Sequence, residues 1–489
     1  MSKTNVERRE HVPDPPSGWE TLKWYGPGLV WMVSAVGSGS VLFTPRIGAK
    51  YGYEFVWMAM IFFFLMFVMI REVGRYTVVT GKTIFEGYSD ISGKSNWALY
   101  FILIPAMVAA VVTIGGIAAL TSSALMIAYP WVYEGYAVVL VVGSLILVIT
   151  GRYQIFERIL SALAGVLVTI IIIASIKVFE SPQDFVEGLV PGIPADTDFN
   201  FVLPWVGFIL AGASGIMWFS YWVSAREYGG KLTSTDEMKV ISQDDKKAEP
   251  DQNEKAYNRI DKWIKTMSGA AAIGVVGGGL VLLGFLVLGT ELLKPQGIMP
   301  EGIDVAKDLT KLLSDVWGEA GKWMLITGMC IALLGTILSN QDGYGRMFAD
   351  GTEILAIPFF RKKKWIDGDS PDDPQKVSIA DAKVSDRKRK VIKFILNQPL
   401  LRKIYAVLLG AVCPLIVFFI VKNPVDILSV AGTIAAVHTP VVVYLTLHLN
   451  RTRLPERVRP GAFFTVAMWL AGIAYGAFAV FLFVSPEAQ

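Results

Sequence analysis

The sequence predicts an all-α integral membrane protein of about eleven spans, built as a 5+5 inverted repeat whose first and sixth spans are broken. Three observations carry this. The chain of 489 residues is 53% hydrophobic, with a mean hydropathy of +0.49. Its charged residues collect between long apolar runs. Two of those runs, in corresponding positions of the two halves, are interrupted by glycine and serine.

At roughly 20 apolar residues per crossing, the spans fall at 26–47, 53–79, 97–128, 135–151, 153–178, 201–226, 264–290, 318–343, 401–421, 425–448 and 461–485. Lys and Arg in short connections mark the cytoplasmic side. They follow the even-numbered spans: Lys82 and Lys94, Arg152 and Arg158, the run from Lys231 to Lys262, Arg361 to Lys364 with Arg387 to Lys390, and Arg451 to Arg459. The opposite connections 129–135 and 179–199 carry neither. The reading is therefore a protein of the cell (cytoplasmic) membrane, its N-terminus cytoplasmic and its C-terminus outside. Arg46 and Lys50 breach the rule. An outer vestibule, or pairing with Glu54, would account for them.

The expected layout is a cytoplasmic tail (1–25), a first repeat (26–178), an extracellular connection (179–200), a second repeat (201–450), and span 11 with a short outer tail (451–489). Of the two charged cytoplasmic loops, 229–262 reads as partly helical and solvated, and 361–393 as loop-like. A weak helical period marks 302–315. The first 24 residues are polar and proline-containing, unlike a cleavable signal peptide. Cys330 and Cys413 both lie in spans, which argues against a disulfide framework. Three histidines are too few for a histidine-built zinc site. There is no phosphate loop or nucleophile elbow, so no enzyme is indicated. The expected partners are the lipid bilayer and a small-molecule or cation substrate. A net charge of +3 gives no sign of nucleic acid. Oligomeric state leaves no trace.

The breaks are Gly37-Ser38-Gly39-Ser40 in span 1 and Gly212-Ala213-Ser214-Gly215 in span 6. Glycine inside a helix costs about 1 kcal/mol against alanine, and unpaired backbone in lipid costs several more. Unwound backbone at membrane depth faces protein, water or a bound solute. The alternative is that the small residues let helices pack closely. Span 1 enters from the cytoplasm and span 6 from outside, so the repeats are inverted and the breaks meet near the midplane. Ser34, Ser38, Ser40 and Ser214 offer hydroxyls there. Gly37, Gly39, Ala213 and Gly215 offer backbone, and Trp218, Phe219, Tyr221 and Trp222 offer ring faces.

The residues GPGLV…AKYGYEFVW (26–57) and VGRYTVVTGKTIFEGY (73–88) resemble the Nramp family of proton-coupled divalent-metal transporters. Weaker support comes from GASGIMWFSYW (212–222), SNQDGYGRMFADGTEIL (339–355) and the Pro440 region, so the likeness runs from Gly26 to about Thr452. It implies the leucine-transporter-like fold of the amino acid–polyamine–cation superfamily, and metal-ion transport by alternating access.

The same alignment removes the family's ligands. Its Asp-Pro-Gly-Asn motif falls on Gly37-Ser38-Gly39-Ser40, so the metal-binding aspartate is Gly37 and the asparagine Ser40. Its Met-Pro-His motif falls on Ile216-Met217-Trp218, and the later proton-path histidine on Val223. Met217 would replace the lost thioether only if the helix turned. Span 3 carries no Asp or Glu, where the family has acidic residues. A dehydrated divalent cation needs compensating anionic charge. Two cargo classes therefore stand side by side: a metal cation of altered selectivity, and a small polar organic solute. A membrane sensor on the same fold is a further alternative.

No cofactor is expected beyond a coupling proton or sodium ion. In the related architecture a sodium site forms between spans 1 and 8, where Thr336, Ser339, Asn340 and Asp342 lie. Asp342 either charges that site or caps the inner end of span 8. His438 either relays protons or bonds a neighbouring helix. Arg71, Glu72 and Arg75 read as an inner gate or a snorkelling cluster.

Overall fold

A computed structural model describes residues 12–35, 37–91, 96–151, 153–229, 250–367, 378–379 and 384–484. Among these, eight helices are long and apolar enough to cross a membrane by length and composition, and two shorter apolar ones are Tyr133–Ile149 and Ala162–Val178. The broken first span completes the expected set. In chain order the spans are Gly26–Ala35 with 38–51 (span 1), Val56–Thr80 (2), Trp97–Ala128 (3), Tyr133–Ile149 (4), Tyr153–Val178 (5), Phe199–Phe208 with Ala213–Ala225 (6), Pro250–Leu288 (7), 319–362 (8), Gln398–Val421 (9), Pro424–Arg453 (10) and Ala462–Val484 (11). Among the described residues the protein is all-helical apart from one two-stranded ribbon, Ile366–Asp367 with Ser378–Ile379.

Local chemistry sets several boundaries. Asp198 and Asn397 cap their helices through side-chain oxygens on the N–H groups of Phe201 and Leu400. Thr83 and Glu86 form a reciprocal box that starts the short helix Ile84–Ile91: Thr83 N–H donates to Glu86 at 2.6 Å, and Glu86 N–H donates to Thr83 Oγ1 at 3.4 Å. Gly81, at φ +69°, ends span 2 in the left-handed conformation that glycine reaches without strain.

The spans sort into two packed groups. Spans 1, 2, 6 and 7 touch one another: span 7 lies against both halves of span 1 and against span 2, and the second half of span 6 lies against spans 1 and 2. Spans 3, 8, 9 and 10 form the other group, with span 5 against spans 7 and 8. The first half of span 6 crosses span 10 closely. A Cβ at Gly207 would overlap the carbonyl oxygen of Gly432, so the crossing needs glycine.

Contacts divide the connections between two ends of the bundle. At the end where span 1 begins, Trp24 packs edge-on against Tyr228 and Trp263, and Arg75 donates to Val458 O at 2.9 Å. At the far end, Trp57 Nε1 donates to Gly192 O at 3.0 Å and Tyr133 OH to Lys422 O at 2.8 Å. Arg46 and Lys50 belong to this far end, and Glu54 is not their partner. Arg46 pairs with Glu301 and Lys50 with Asp198, each at 3.4 Å, and both cations lie over the ring of Phe201.

Two expectations change, and a weaker one is met. Span 8 does not stop at 343 but runs on as helix to Lys362, because its later turns keep burying Met347, Phe348, Ile357 and Phe360. Of the charged segment 361–393, the described part is not simply loop: Asp386–Ile395 is helical, and Ile392 packs with Ile357, Phe360 and Ile366 in a small separate core. The period seen at 302–315 is a real helix, which the backbone break at Trp317–Gly318 (φ +62° at Gly318) separates from span 8. In 229–262, residues 250–262 begin the long helix of span 7, while 230–249 lie outside the described residues.

Candidate substrate cavity

The two breaks are real but lie earlier than the small-residue clusters suggested. In span 6 the first half-helix ends at Phe208, and the chain turns through Ile209 (φ −56°, ψ 111°) and Leu210 (φ +62°) to Gly212 (φ −64°, ψ 177°). A left-handed leucine costs about 1–2 kcal/mol. Its burial, at 2% exposed, holds it there. Ala213, Ser214 and Gly215 are the first turn of the second half-helix. In span 1, helix resumes at Ser38, with a π-helical turn over Gly39–Phe43. That turn's carbonyl at Gly39 accepts from Thr44 Oγ1 at 2.9 Å, and Trp205 Nε1 donates to the same Thr44 oxygen at 3.1 Å.

The breaks face each other. A Cβ at Gly39 would overlap the carbonyl oxygen of Phe208, so backbone meets backbone between them. Beside this contact is a cavity of about 90 Å3. Gly37, Ser38 and Gly39 line it from span 1, and Phe208 and Leu210 to Gly215, with Trp218, from span 6. Thr113 contributes from span 3, Thr336, Ser339, Asn340 and Tyr344 from span 8, and Ala431, Ala435 and His438 from span 10. No Asp, Glu, Lys or Arg is among the lining residues. Among the described residues no three His, Cys, Asp or Glu side chains gather as a metal site.

Of the residues expected to bind substrate, Gly37, Ser38, Gly39, Ala213, Ser214, Gly215 and Trp218 line the cavity. Ser40, Ile216 and Met217 are buried but do not reach it, since they turn to the packed sides of their half-helices. Ser34 is in the helix of span 1, and its side chain lies outside the described residues. The other aromatic walls are elsewhere: Tyr221 OH donates to Asp350 at 2.9 Å, and Phe219 packs near Gly74 of span 2.

Thr336, Asn340 and His438 line the cavity, and Asp342 does not. Asp342 instead pairs with Arg346 one turn on, at 2.7 Å, in mid-helix rather than at a helix end. Neither role foreseen for it fits that place. Tyr344 was missed. Its hydroxyl donates to Ser214 Oγ at 3.2 Å, and its ring meets Trp218 edge-on at 4.9 Å. Thr336, Asn340 and Tyr344 recur every four residues, so they share one helical face, and that spacing was the available signal.

Two residues of the cavity wall each carry a buried polar atom with no partner among the described residues: Trp218 Nε1 and His438 Nε2. Their residues are 9% and 3% exposed. A buried donor or acceptor left unpaired costs about 1–3 kcal/mol, so a polar occupant is what the wall is suited to meet. The first-turn N–H groups of the half-helix from Ala213 add to this, since Gly212 brings no side-chain cap.

The Arg71–Glu72–Arg75 cluster is a buried network at the end where span 1 begins. Glu72 is fully buried and accepts from Arg71, from Arg75 at 2.9 Å and from Asn450 at 3.2 Å. It joins span 2 to the end of span 10.

The profile of the natural resistance-associated macrophage protein-like (Nramp) family matches residues 28–344. An uncharacterised protein of Pasteurella multocida is 21% identical over 339 residues, covering 68% of this chain and 70% of its own. Crystal structures of an Eremococcus coleocola manganese transporter share the fold. A mutant form has 13% identity and a TM-score of 0.66 over 100% of this chain and 93% of its own. A complex with an aromatic bis-isothiourea compound has 14% identity and 0.64 over 99% and 90%. With that match and this architecture, the chain belongs to the Nramp-like family and is a multi-pass membrane transport protein with the leucine-transporter-like fold.

Proposed function

We propose that this protein is a secondary active transporter that carries one small polar solute per cycle through the cavity between broken spans 1 and 6. The observation that carries the reading is the cavity wall itself: two facing breaks, two unpaired polar side-chain atoms and no charged side chain. Alternating access follows from how the half-helices are tied. At the end where span 1 begins, the first half of span 1 and the second half of span 6 are joined by Trp31 Nε1 on Gly215 O at 3.1 Å and by Tyr228 OH on Trp24 O. The far halves are joined through Thr44 and Trp205, and through Tyr51 OH accepting from Asp198 N–H at 2.9 Å. Each end thus moves spans 1 and 6 as a pair, against the group containing spans 3, 8 and 10.

The Lys and Arg distribution supports a cytoplasmic N-terminus and a place in the cell membrane. Thr336, Ser339 and Asn340 put three side-chain oxygens of span 8 beside the break in span 1, which suits sodium as the coupling ion. A second reading, a metal ion as cargo, is favoured by family membership. His438 Nε2 and Asn340 would be its side-chain ligands. Uptake into proteoliposomes separates the two. Saturable uptake of an organic solute, blocked by Gly39→Leu, supports the first reading. Saturable manganese uptake in the absence of organic solute supports the second.

A further inference from the structure

Resting on that reading of the cavity, we infer that its cargo bears a carboxylate, and that the carboxylate is held by the breaks together with Trp218 and His438. Charge is the first ground. The helix from Ala213 runs 13 residues and opens on the cavity without a side-chain cap. The helix resuming at Ser38 opens on the same space. Each N-terminus carries roughly half an elementary positive charge and each facing C-terminal end the opposite, so an anionic group is favoured locally, against the N–H groups at Ser38 and Ala213. A dehydrated divalent cation would need anionic side chains, and none is among the lining residues.

Hydrogen bonding is an independent ground. Trp218 Nε1 is a donor only. It is buried, lines the cavity and has no partner among the described residues. His438 Nε2, equally buried and unpartnered, donates in one neutral tautomer. A carboxylate is the common small group that only accepts, with two oxygens to distribute among these donors. Size limits the rest of the molecule. A dry 150 Å3 cavity takes benzene, so about 90 Å3 takes a solute of a few heavy atoms in this conformation.

The test is titration calorimetry on the full-length protein, with acetate, lactate, glycine and alanine, with the matching amides, and with manganese chloride. At least one carboxylate should bind saturably, its amide at least tenfold more weakly. Trp218→Phe should weaken that binding fivefold or more. His438→Leu should do the same, while His438→Gln, which keeps an N–H, should retain it. Equal affinity for acid and amide, or binding of manganese alone, overturns the inference and leaves the transporter reading in place. If none of these ligands binds and Gly39→Leu changes no uptake of any labelled solute, both fall.

Discussion

The indole Nε1 of Trp31, in the first half of span 1, donates to the carbonyl oxygen of Gly215, in the second half of span 6, at 3.1 Å. Trp31 is fully buried, and Gly215 lines the cavity. This bond couples the two half-helices on the side where span 1 begins, beside the cavity. Trp31→Phe keeps the ring and removes the donor. A net loss of about 1 kcal/mol is expected, read as a lower melting temperature. Transport rate should fall several-fold while cargo affinity stays within twofold. Calorimetry and uptake on the same preparation check it.

Gly39→Ala places a Cβ against the carbonyl oxygen of Phe208, and neither backbone can yield without parting the breaks. Uptake should fall more than tenfold in a protein that still purifies as a folded species. Gly207→Ala does the same at the crossing of spans 6 and 10. Overpacking there should cost about 1–3 kcal/mol, read as loss of thermal stability first and of transport second.

Asp342→Asn breaks a partly exposed pair with Arg346, which lies away from the cavity. Pairs of this kind contribute at most about 1 kcal/mol. Coupled uptake should stay within twofold of wild type over a sodium titration. Asn340→Ala, on the cavity wall, should lower the apparent sodium affinity at least fivefold.

Glu72→Gln leaves Arg71 and Arg75 buried beside a neutral amide. Removing one partner of a buried ion pair costs about 3–5 kcal/mol. The expected result is poor yield and a large drop in melting temperature, since the network also fixes Asn450 and Val458. Glu72→Asp keeps the carboxylate charge and should recover part of the loss.

Much of this was legible in the sequence because lipid penalises exceptions. Unwound backbone at membrane depth is costly, so the cluster from Gly37 to Ser40 marks a break. The structure puts that break at the cluster's leading edge, with helix resuming at Ser38. The shared side of the Lys/Arg-free connections follows from charge alone. The break in span 6 begins three residues before the Gly212–Gly215 cluster. Its pivot is Leu210, a residue with no preference for positive φ, held there by burial that only the assembled bundle provides. Tyr344 lies just past residue 343, where apolarity fades but helix does not, so hydropathy alone leaves it outside span 8. Asp342 drew attention as an acid near a membrane span. Its salt bridge to Arg346, four residues on, was the simpler pattern. Ile216 and Met217 came from aligning a motif, and the turn of the half-helix points them into packing instead.

Transport as proposed requires the space beside Ser38 and Ser214 to open in turn to each side of the membrane. This requirement is tested by thiol labelling of Ser214→Cys, in a background where Cys330 and Cys413 are replaced by alanine. Sealed vesicles of both orientations would be treated with a membrane-impermeant reagent. The account predicts labelling from either face, slowed by transported solute. Labelling from one face only, under every ionic condition and unaffected by solute, would contradict it.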